Sequence, residues 1–264
     1  MSKWKIDIYF QGDTQQIGGN SFCVSEGYDY HEQRYYCIDS DCFEKITPSD
    51  ENEAQSVIYG LVTIANGAYV LATRDVKKHI DIKTSQILYD GRRTSFYKND
   101  FVPSMNPFEG LKKIDIDFSE LNISNRSHLI TLASMYQPIR EILFQVGCFI
   151  DEPNLHRNIS TWTILYAIKD TVFYYTEIFC PECLENKKHA EDKIIKFLDL
   201  DKVEFKRFTQ TANNFDYLGI FARHGKQSWD QPRVPMPLNE AFAFVFNMAM
   251  GFIAKFLNNQ LENE

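Results

Sequence analysis

Two neighbouring residues near the end of the chain have side chains suited to RNA chemistry. Arg223 and His224 stand side by side in "GIFARHGKQ", and Asn213 lies ten residues before Arg223. A guanidinium stays charged and offers a planar fork of donors that suits phosphate. An imidazole titrates near neutrality and can move a proton. Together they could hold a phosphodiester and protonate a leaving oxygen, which is the chemistry of a ribonuclease that uses no metal.

A structural interpretation of the same residues is also open. Neighbouring residues on a helix point about 100° apart, so Arg223 and His224 need not share one site. Arg223 could bind a carboxylate or the last carbonyls of a helix, while His224 bonds to the loop backbone. Asn213 is expected to end a helix under either interpretation.

Basic side chains near this segment could extend it into a surface that faces RNA. The residues concerned are Lys206, Arg207, Arg223, Lys226 and Arg233. Acidic residues interleave with the basic ones over residues 187–207, so two solvated helix faces of mixed charge explain that region equally well. The net charge is −8, and proteins that bind nucleic-acid phosphates normally carry a basic face. Any contact with RNA must therefore be local.

A cysteine pair raises the question of a metal site. Cys180 and Cys183 have the spacing of half a zinc site, which Cys37 with Cys42, or His189, could complete. The same spacing suits an ordinary turn between helices, and we expect two ordinary cysteines there. The chain has no P-loop, dinucleotide-binding glycine motif or HExxH motif. We therefore predict no metal and no cofactor.

Composition indicates a folded protein of the cytoplasm. The 264 residues are 44% hydrophobic and 24% charged, enough for one large domain or two of ordinary size. "MSKWKIDIYF" lacks the apolar core of a secretory signal, so we expect none and expect the six cysteines to be reduced. The longest apolar run carries Asn239, Glu240, Asn247 and Lys255, which favours a buried helix over a membrane span.

Residues 1–118 have the pattern of a sheet with one helix. Residues 3–10 alternate apolar and polar side chains, as a half-buried strand does, and "NSFCVSE" and "QRYYCID" are predicted strands too. "SDENEAQSVIYGLVTIANGA" has helical spacing, and Asn66-Gly67 predicts its end. "AYVLATR" and "HIDIKTSQILYD" indicate strands, with a hairpin turn at Asp90-Gly91. We therefore predict an α+β fold whose N-terminal domain is a mostly antiparallel sheet with one helix.

Residues 119–264 are predicted to form a helical domain. Residues 127–147 have apolar side chains at helical spacing, with Pro138 as a kink or break. "NISTWTILYAIKDTVFYYTE" is a second helix, although its β-branched and aromatic residues also allow a strand. Asp201 and Glu204 have the spacing of a capping box before "FKRFTQTANN". The last helix is apolar nearly all round, which predicts a deep core or a subunit interface.

The C-terminal part resembles a known group. "FTQTANN", "GIFARHG" and "PMPLNEAFAFV" resemble segments of uncharacterised bacterial proteins of similar length, and "TWTILYAIKD" resembles a helix that precedes them there. That region in turn resembles the HEPN superfamily of small helical bundles, which commonly dimerise and occur in toxin–antitoxin, abortive-infection and other anti-phage systems. Active members are metal-independent endoribonucleases with an arginine a few residues before a histidine. His224-Gly225 resembles the histidine end, but residues 217–219 are Tyr, Leu and Gly, so only Arg223 supplies a guanidinium.

Two functions are therefore expected as alternatives. The first is a bacterial defence or toxin protein, homodimeric by resemblance, that cleaves or binds RNA through Arg223 and His224 with Asn213 assisting. The second is a non-enzymatic module that binds a partner protein and carries a degenerate HEPN-like site. The apolar last helix and the incomplete arginine–histidine motif favour the second.

Overall fold

The protein is described from a computed structural model. It describes residues 4–8, 23–28, 34–43, 46, 51–76, 86–89, 92–93, 103–109, 121–150, 160–180, 190–226, 232 and 234–263. The chain divides into two compact units, Met1–Asp151 and Glu152–Glu264. The boundary predicted between residues 118 and 119 stays a prediction.

Unit 1 contains short strands that pair into one sheet. They are β1 (Trp4–Ile8), β2 (Cys23–Tyr28), β3 (Arg34–Asp39), β4 (Gln86–Tyr89) and β5 (Arg92–Arg93). Their order is β2-β3-β1-β4-β5, and each neighbouring pair is antiparallel. The register places Ile6 of β1 opposite Ile38 of β3 on one side and Ile87 of β4 on the other. β1 is therefore the central strand among those described.

The buried core described in unit 1 is helical. It is built from α1 (Glu51–Thr73), α2 (Arg126–Met135) and α3 (Gln137–Ile150). Asn125 caps α2 by accepting a hydrogen bond from the Ser127 N–H at 2.9 Å. Pro138 lies in the first turn of α3, where a missing N–H leaves no bond unmade. The predicted break near Pro138 is therefore confirmed, and it separates α2 from α3.

Two glycines let the backbones of α1 and α3 come into direct contact. A Cβ at Gly67 would lie 1.9 Å from the carbonyl oxygen of Leu143, and a Cβ at Gly147 would lie 1.9 Å from that of Thr63. Both distances are far below any van der Waals contact, so neither position accepts a side chain without separating the helices. The close approach explains why glycine stands inside α1 and α3, although glycine within a helix costs about 0.5–1 kcal/mol of stability relative to alanine.

The predicted α+β class is wrong. For β1–β5 the structure describes the backbone alone. Among the residues whose side chains it also describes, 76% are helical and none belongs to a strand. The prediction ended the first helix at Asn66-Gly67 and made "AYVLATR" a strand, but α1 continues through that segment to Thr73. The physical reason is tertiary. Gly67 packs against α3 instead of ending the helix, and Ala68, Val70 and Leu71 are fully or almost fully buried on α1.

Unit 2 is a bundle of helices in the part of the chain that the structure describes. These are α4 (Thr161–Phe179), α5 (Ala190–Phe197), α6 (Lys202–Ala212), α7 (Phe215–Leu218) and α8 (Leu238–Asn263). The strand alternative for the α4 segment is thereby excluded. Asp201 caps α6 by accepting from the N–H groups of Val203 and Glu204 at 2.7 and 3.2 Å, as its position predicted.

Aromatic side chains join α4 to α6. The Phe208 ring stacks against Trp162 and Tyr166 with centroid distances of 6.1 and 6.0 Å, and the Phe205 ring stacks on Phe173 at 5.2 Å. Both phenylalanines on α6 are almost completely buried. Burial of a phenylalanine contributes about 1.5–3 kcal/mol, so these rings fix where α6 runs along α4.

Two of the described helices are long and apolar enough to cross a membrane. They are Asn52–Thr73 and Leu238–Leu261, with mean hydropathies of 1.4 and 1.5. Within the protein, 78% of the first apolar window and 56% of the second are buried. A buried core helix meets the same criteria of length and composition, so the cytoplasmic location stays a prediction.

We predict that Gly67→Ala and Gly147→Ala each lower the free energy of unfolding by about 2–3 kcal/mol, because the added methyl group forces two helix backbones apart. The measurement is urea denaturation followed by circular dichroism. Gly251→Ala, within α8, is the matched control because its Cβ would find no heavy atom within 4 Å. It should be neutral or stabilise by up to about 1 kcal/mol through helix propensity. Equal effects at all three positions would contradict the close helix contact.

Candidate functional site

The chain turns back on itself directly after α6. Asn213 is the C-cap of α6, as predicted, and the side chain of Asn214 caps α7 by accepting from the Tyr217 N–H at 3.1 Å. Gly219 then takes a φ of +59°, a left-handed conformation that glycine adopts without strain. The chain returns, and the Arg223 N–H donates to the carbonyl of Ala212 at 2.8 Å. Arg223 is therefore anchored to the end of α6.

The Arg223 side chain lies on an aromatic ring of α4. Its guanidinium carbon is 3.9 Å from the ring centroid of Tyr166, a cation–π contact. Its Nη2 is 3.6 Å from Oδ2 of Asp170, which is an ion pair but too long for a hydrogen bond. The side chain keeps 32% of its surface exposed. Arg223 is thus held in place while guanidinium donors remain open to another acceptor.

A second cation lies on the same ring. Nζ of Lys169 is 4.2 Å from the Tyr166 centroid, 5.1 Å from the Phe173 centroid and 2.5 Å from Oδ1 of Asp170. The Lys169 side chain is only 9% exposed, whereas that of Asp170 is 49% exposed. We call Tyr166, Lys169, Asp170 and Arg223 the cation cluster. Its two cations face one carboxylate, which leaves a net charge of +1.

The cation cluster has the properties of an anion site. A buried ammonium needs a nearby negative charge, since an unpaired buried charge costs several kcal/mol. Arg223 presents a planar donor group at a fixed position, which is the geometry that suits phosphate. Among the residues that the structure describes, the two cations share the half-exposed carboxylate of Asp170. The arrangement can therefore bind an anion that approaches from the solvent.

The other two predicted catalytic residues flank Arg223 differently. His224 follows it and is half-buried. Asn213 is only 8% exposed, and its Oδ1 is buried without a hydrogen-bond donor. An unsatisfied buried acceptor costs about 1–3 kcal/mol. The structure brings Asn213 and Arg223 together through the end of α6, and their catalytic roles stay predictions.

The predicted RNA-binding residues have separate surroundings. Nε and Nη2 of Arg207 donate to the carbonyls of Val234 and Pro235 at 3.0 and 3.2 Å. Its Nη1 lies 2.8 Å from Glu240 and 3.2 Å from Glu204. Arg207 therefore ties α6 to the segment before α8, and its donors are engaged within the protein.

The remaining predicted RNA-binding residues are lysines and one further arginine. Lys206 is exposed on α6. Lys226 is exposed by 76%, with its Nζ 3.4 Å from the Asp216 carboxylate. Arg233 lies outside the described residues. Lys206 and Lys226 are thus the predicted RNA-binding side chains that the structure places well in solvent.

A groove of about 510 Å³ runs along α6. Val203 and Val234 line it and are 72% and 64% exposed, respectively, which is unusual for branched apolar side chains. The groove is also lined by Lys202, Lys206, Arg207, Gln210 and Pro232. An exposed apolar floor beside basic side chains is typical of a surface that binds another molecule.

The cysteine pair gives no metal site within the described part of the chain. Cys180 is the C-cap of α4, whereas Cys183 and His189 lie outside the described residues. No group of three or more described His, Cys, Asp or Glu side chains could hold a metal ion.

Sequence reasoning missed the α4 half of the cation cluster. Tyr166, Lys169 and Asp170 stand in "YAIKD" at positions i, i+3 and i+4, which share one face of a helix. That spacing could have identified them as a group. Their meeting with Arg223 depends on how α6 and the following turn pack on α4, which no local pattern encodes.

Comparison with known proteins gives no match: no family model, no curated protein and no solved structure corresponds to this chain. The resemblance to HEPN domains therefore stays a prediction.

We predict that Arg207→Lys lowers the free energy of unfolding by about 1–3 kcal/mol, because an ammonium cannot reproduce the fork that holds two carbonyls and two carboxylates. Lys206→Ala, the next position on the same helix, is the matched control and should stay within about 0.5 kcal/mol of the unsubstituted protein. Chemical denaturation measures both. A loss at position 206 as large as that at 207 would contradict the special role of Arg207.

Proposed function

We propose that this protein binds RNA through the cation cluster of unit 2 and acts as a bacterial defence or toxin-type effector in the cytoplasm. The observation that carries the proposal is Arg223, which is held on the Tyr166 ring while a third of its side chain remains open to solvent. A guanidinium positioned in this way suits a backbone phosphate. The bacterial setting, and a homodimer, come from the resemblance to HEPN domains.

Local charge supports the proposal better than global charge does. The whole chain carries −8, so it cannot attract RNA through its overall field. Within the described part of the chain, Lys169 and Arg223 share one carboxylate, that of Asp170, and Lys226 lies three residues beyond Arg223 in the sequence. A few phosphate contacts of this kind give salt-dependent binding with little sequence preference.

Cleavage of the bound RNA is the finer part of the proposal. Arg223 would steady the phosphate, and His224 would transfer protons between the ribose 2′-hydroxyl and the leaving 5′-oxygen, without a metal. Asn213 is buried, which favours an assisting role in holding the end of α6 over direct contact with RNA.

A second candidate function is a protein-interaction module without enzymatic activity. The observation that favours it is the groove on α6, with Val203 and Val234 strongly exposed. Isolated apolar side chains at a surface are common, but two that line one groove indicate a docking surface. A partner protein would bury this floor and form contacts with Lys206 at the edge.

We predict that the protein binds labelled single-stranded RNA in EDTA and that Arg223→Gln weakens binding about tenfold and lowers the salt slope by about one, because one phosphate contact is lost. Filter binding at several salt concentrations measures both quantities. Lys196→Gln, on the exposed face of α5, is the control for loss of one positive charge. The same affinity in the Arg223 and Lys196 variants would overturn the RNA proposal.

The same reactions test for cleavage. If His224 moves the proton, the unsubstituted protein fragments the RNA in EDTA, while His224→Ala binds it with similar affinity and leaves it intact. Intact RNA with both proteins, despite binding, would restrict the function to RNA binding.

We predict that, if the groove docks a partner protein, Val203→Asp abolishes co-purification of that partner while Ile220→Asp preserves it. Ile220 is a suitable control because it is 64% exposed and does not line the groove. Val203→Asp places a carboxylate on the apolar floor of the groove, and an apolar side chain of the partner cannot solvate that charge. Retention of the partner by both variants would exclude the groove.

A further inference from the structure

The carboxylate of Asp170 occupies the position that an incoming anion would take in the cation cluster. Its Oδ1 contacts Nζ of Lys169 at 2.5 Å, and its Oδ2 faces Nη2 of Arg223 at 3.6 Å. One carboxylate thus spans both cations. The second contact is looser than the first, so Asp170 satisfies Lys169 but only partly compensates Arg223.

The exposure of the three charged groups differs in a way that matters for binding. The Lys169 side chain is 9% exposed and is enclosed by the rings of Tyr166 and Phe173, so its ammonium stays where it is. The Asp170 side chain is 49% exposed, so it can turn into water once another anion takes its place beside Lys169. A buried cation and a partly exposed one therefore share a carboxylate that solvent reaches.

We propose that Lys169, Arg223 and Tyr166 form a phosphate-binding site and that Asp170 is its built-in competitor. The proposal rests on the proposed binding of RNA, because it assigns the group of the RNA that enters the cluster. A phosphate carries more acceptor oxygens than a carboxylate and can span both cations while Asp170 turns to solvent. Phosphate and Asp170 exclude each other by like charge.

The competitor sets the affinity of the site. Each bound phosphate must first displace Asp170. The apparent affinity for phosphate is therefore the intrinsic affinity multiplied by the fraction of molecules in which the carboxylate has left the site. The net charge of +1 without phosphate becomes +2 when the carboxylate is removed. Asp170→Asn therefore strengthens phosphate binding, which is the opposite of what a merely structural role of Asp170 would give.

The experiment compares Asp170→Asn with the unsubstituted full chain. Inorganic phosphate is titrated into isotope-labelled protein and followed by nuclear magnetic resonance, and Asp170→Asn should bind at least about fivefold more tightly. Asp216→Asn is the matched control, since it removes a carboxylate of similar exposure, 53%, that pairs with Lys226. The control should bind phosphate as the unsubstituted protein does.

Further measurements test whether the gain in phosphate affinity depends on Arg223 and whether phosphate restores the stability of Asp170→Asn. Asp170→Asn/Arg223→Gln should lose the gain, because one of the two cations is absent. Asp170→Asn should melt at a lower temperature than the unsubstituted protein in phosphate-free buffer and recover on addition of phosphate, since Lys169 then regains a counter-ion. An affinity of Asp170→Asn equal to or below that of the unsubstituted protein, or a gain that persists without Arg223, overturns the proposal.

A second arm separates this inference from the proposed function. A short single-stranded RNA replaces inorganic phosphate in the same titrations. Tighter binding of both ligands by Asp170→Asn supports both proposals. Tighter binding of inorganic phosphate alone supports the site but overturns RNA as its ligand. An RNA affinity that changes with neither Asp170→Asn nor Arg223→Gln overturns the phosphate site and places RNA binding elsewhere on the protein.

Discussion

The position of the candidate site depends on one aromatic contact. Phe208 of α6 stacks between Trp162 and Tyr166 of α4, and this packing fixes the end of α6 beside the Tyr166 ring. The Arg223 N–H then donates to the carbonyl of Ala212 at that end, and the Arg223 guanidinium lies over the Tyr166 ring. A single tyrosine thus belongs both to the core and to the site.

The charges of the site are also a consequence of packing. Lys169 is buried by its position on α4, between two aromatic rings, and its ammonium must have a counter-charge there. Asp170 supplies it from the next residue. In the phosphate site that we propose, the carboxylate that stabilises Lys169 is therefore also the group that an incoming phosphate displaces.

Local sequence rules predicted helix ends at Asp201 and Asn213 but failed at Gly67, where long-range packing decides. Asp201 caps α6 through its side chain, which accepts from the neighbouring backbone, and Asn213 ends the helix through its backbone N–H, which donates to the carbonyls of Thr209 and Thr211. Gly67 was misread because its role is contact with α3, about eighty residues away in the sequence. Arg223 was identified as a candidate by its type, by its place beside His224 and by the resemblance to HEPN domains. The contact of Arg223 with the Tyr166 ring could not be predicted, since it depends on the path of the whole chain between these two residues.

The hydrogen bond from the Arg223 amide to the Ala212 carbonyl has a dynamic consequence. The last carbonyls of a helix lack partners within the helix, and here one of them is satisfied by the returning chain. Fraying of the last turn of α6 therefore releases Arg223, and release of Arg223 promotes fraying. The amide protons of this turn and of Arg223 should exchange with solvent as one cooperative unit, so that the site opens and closes through local unfolding while the rest of α6 stays folded.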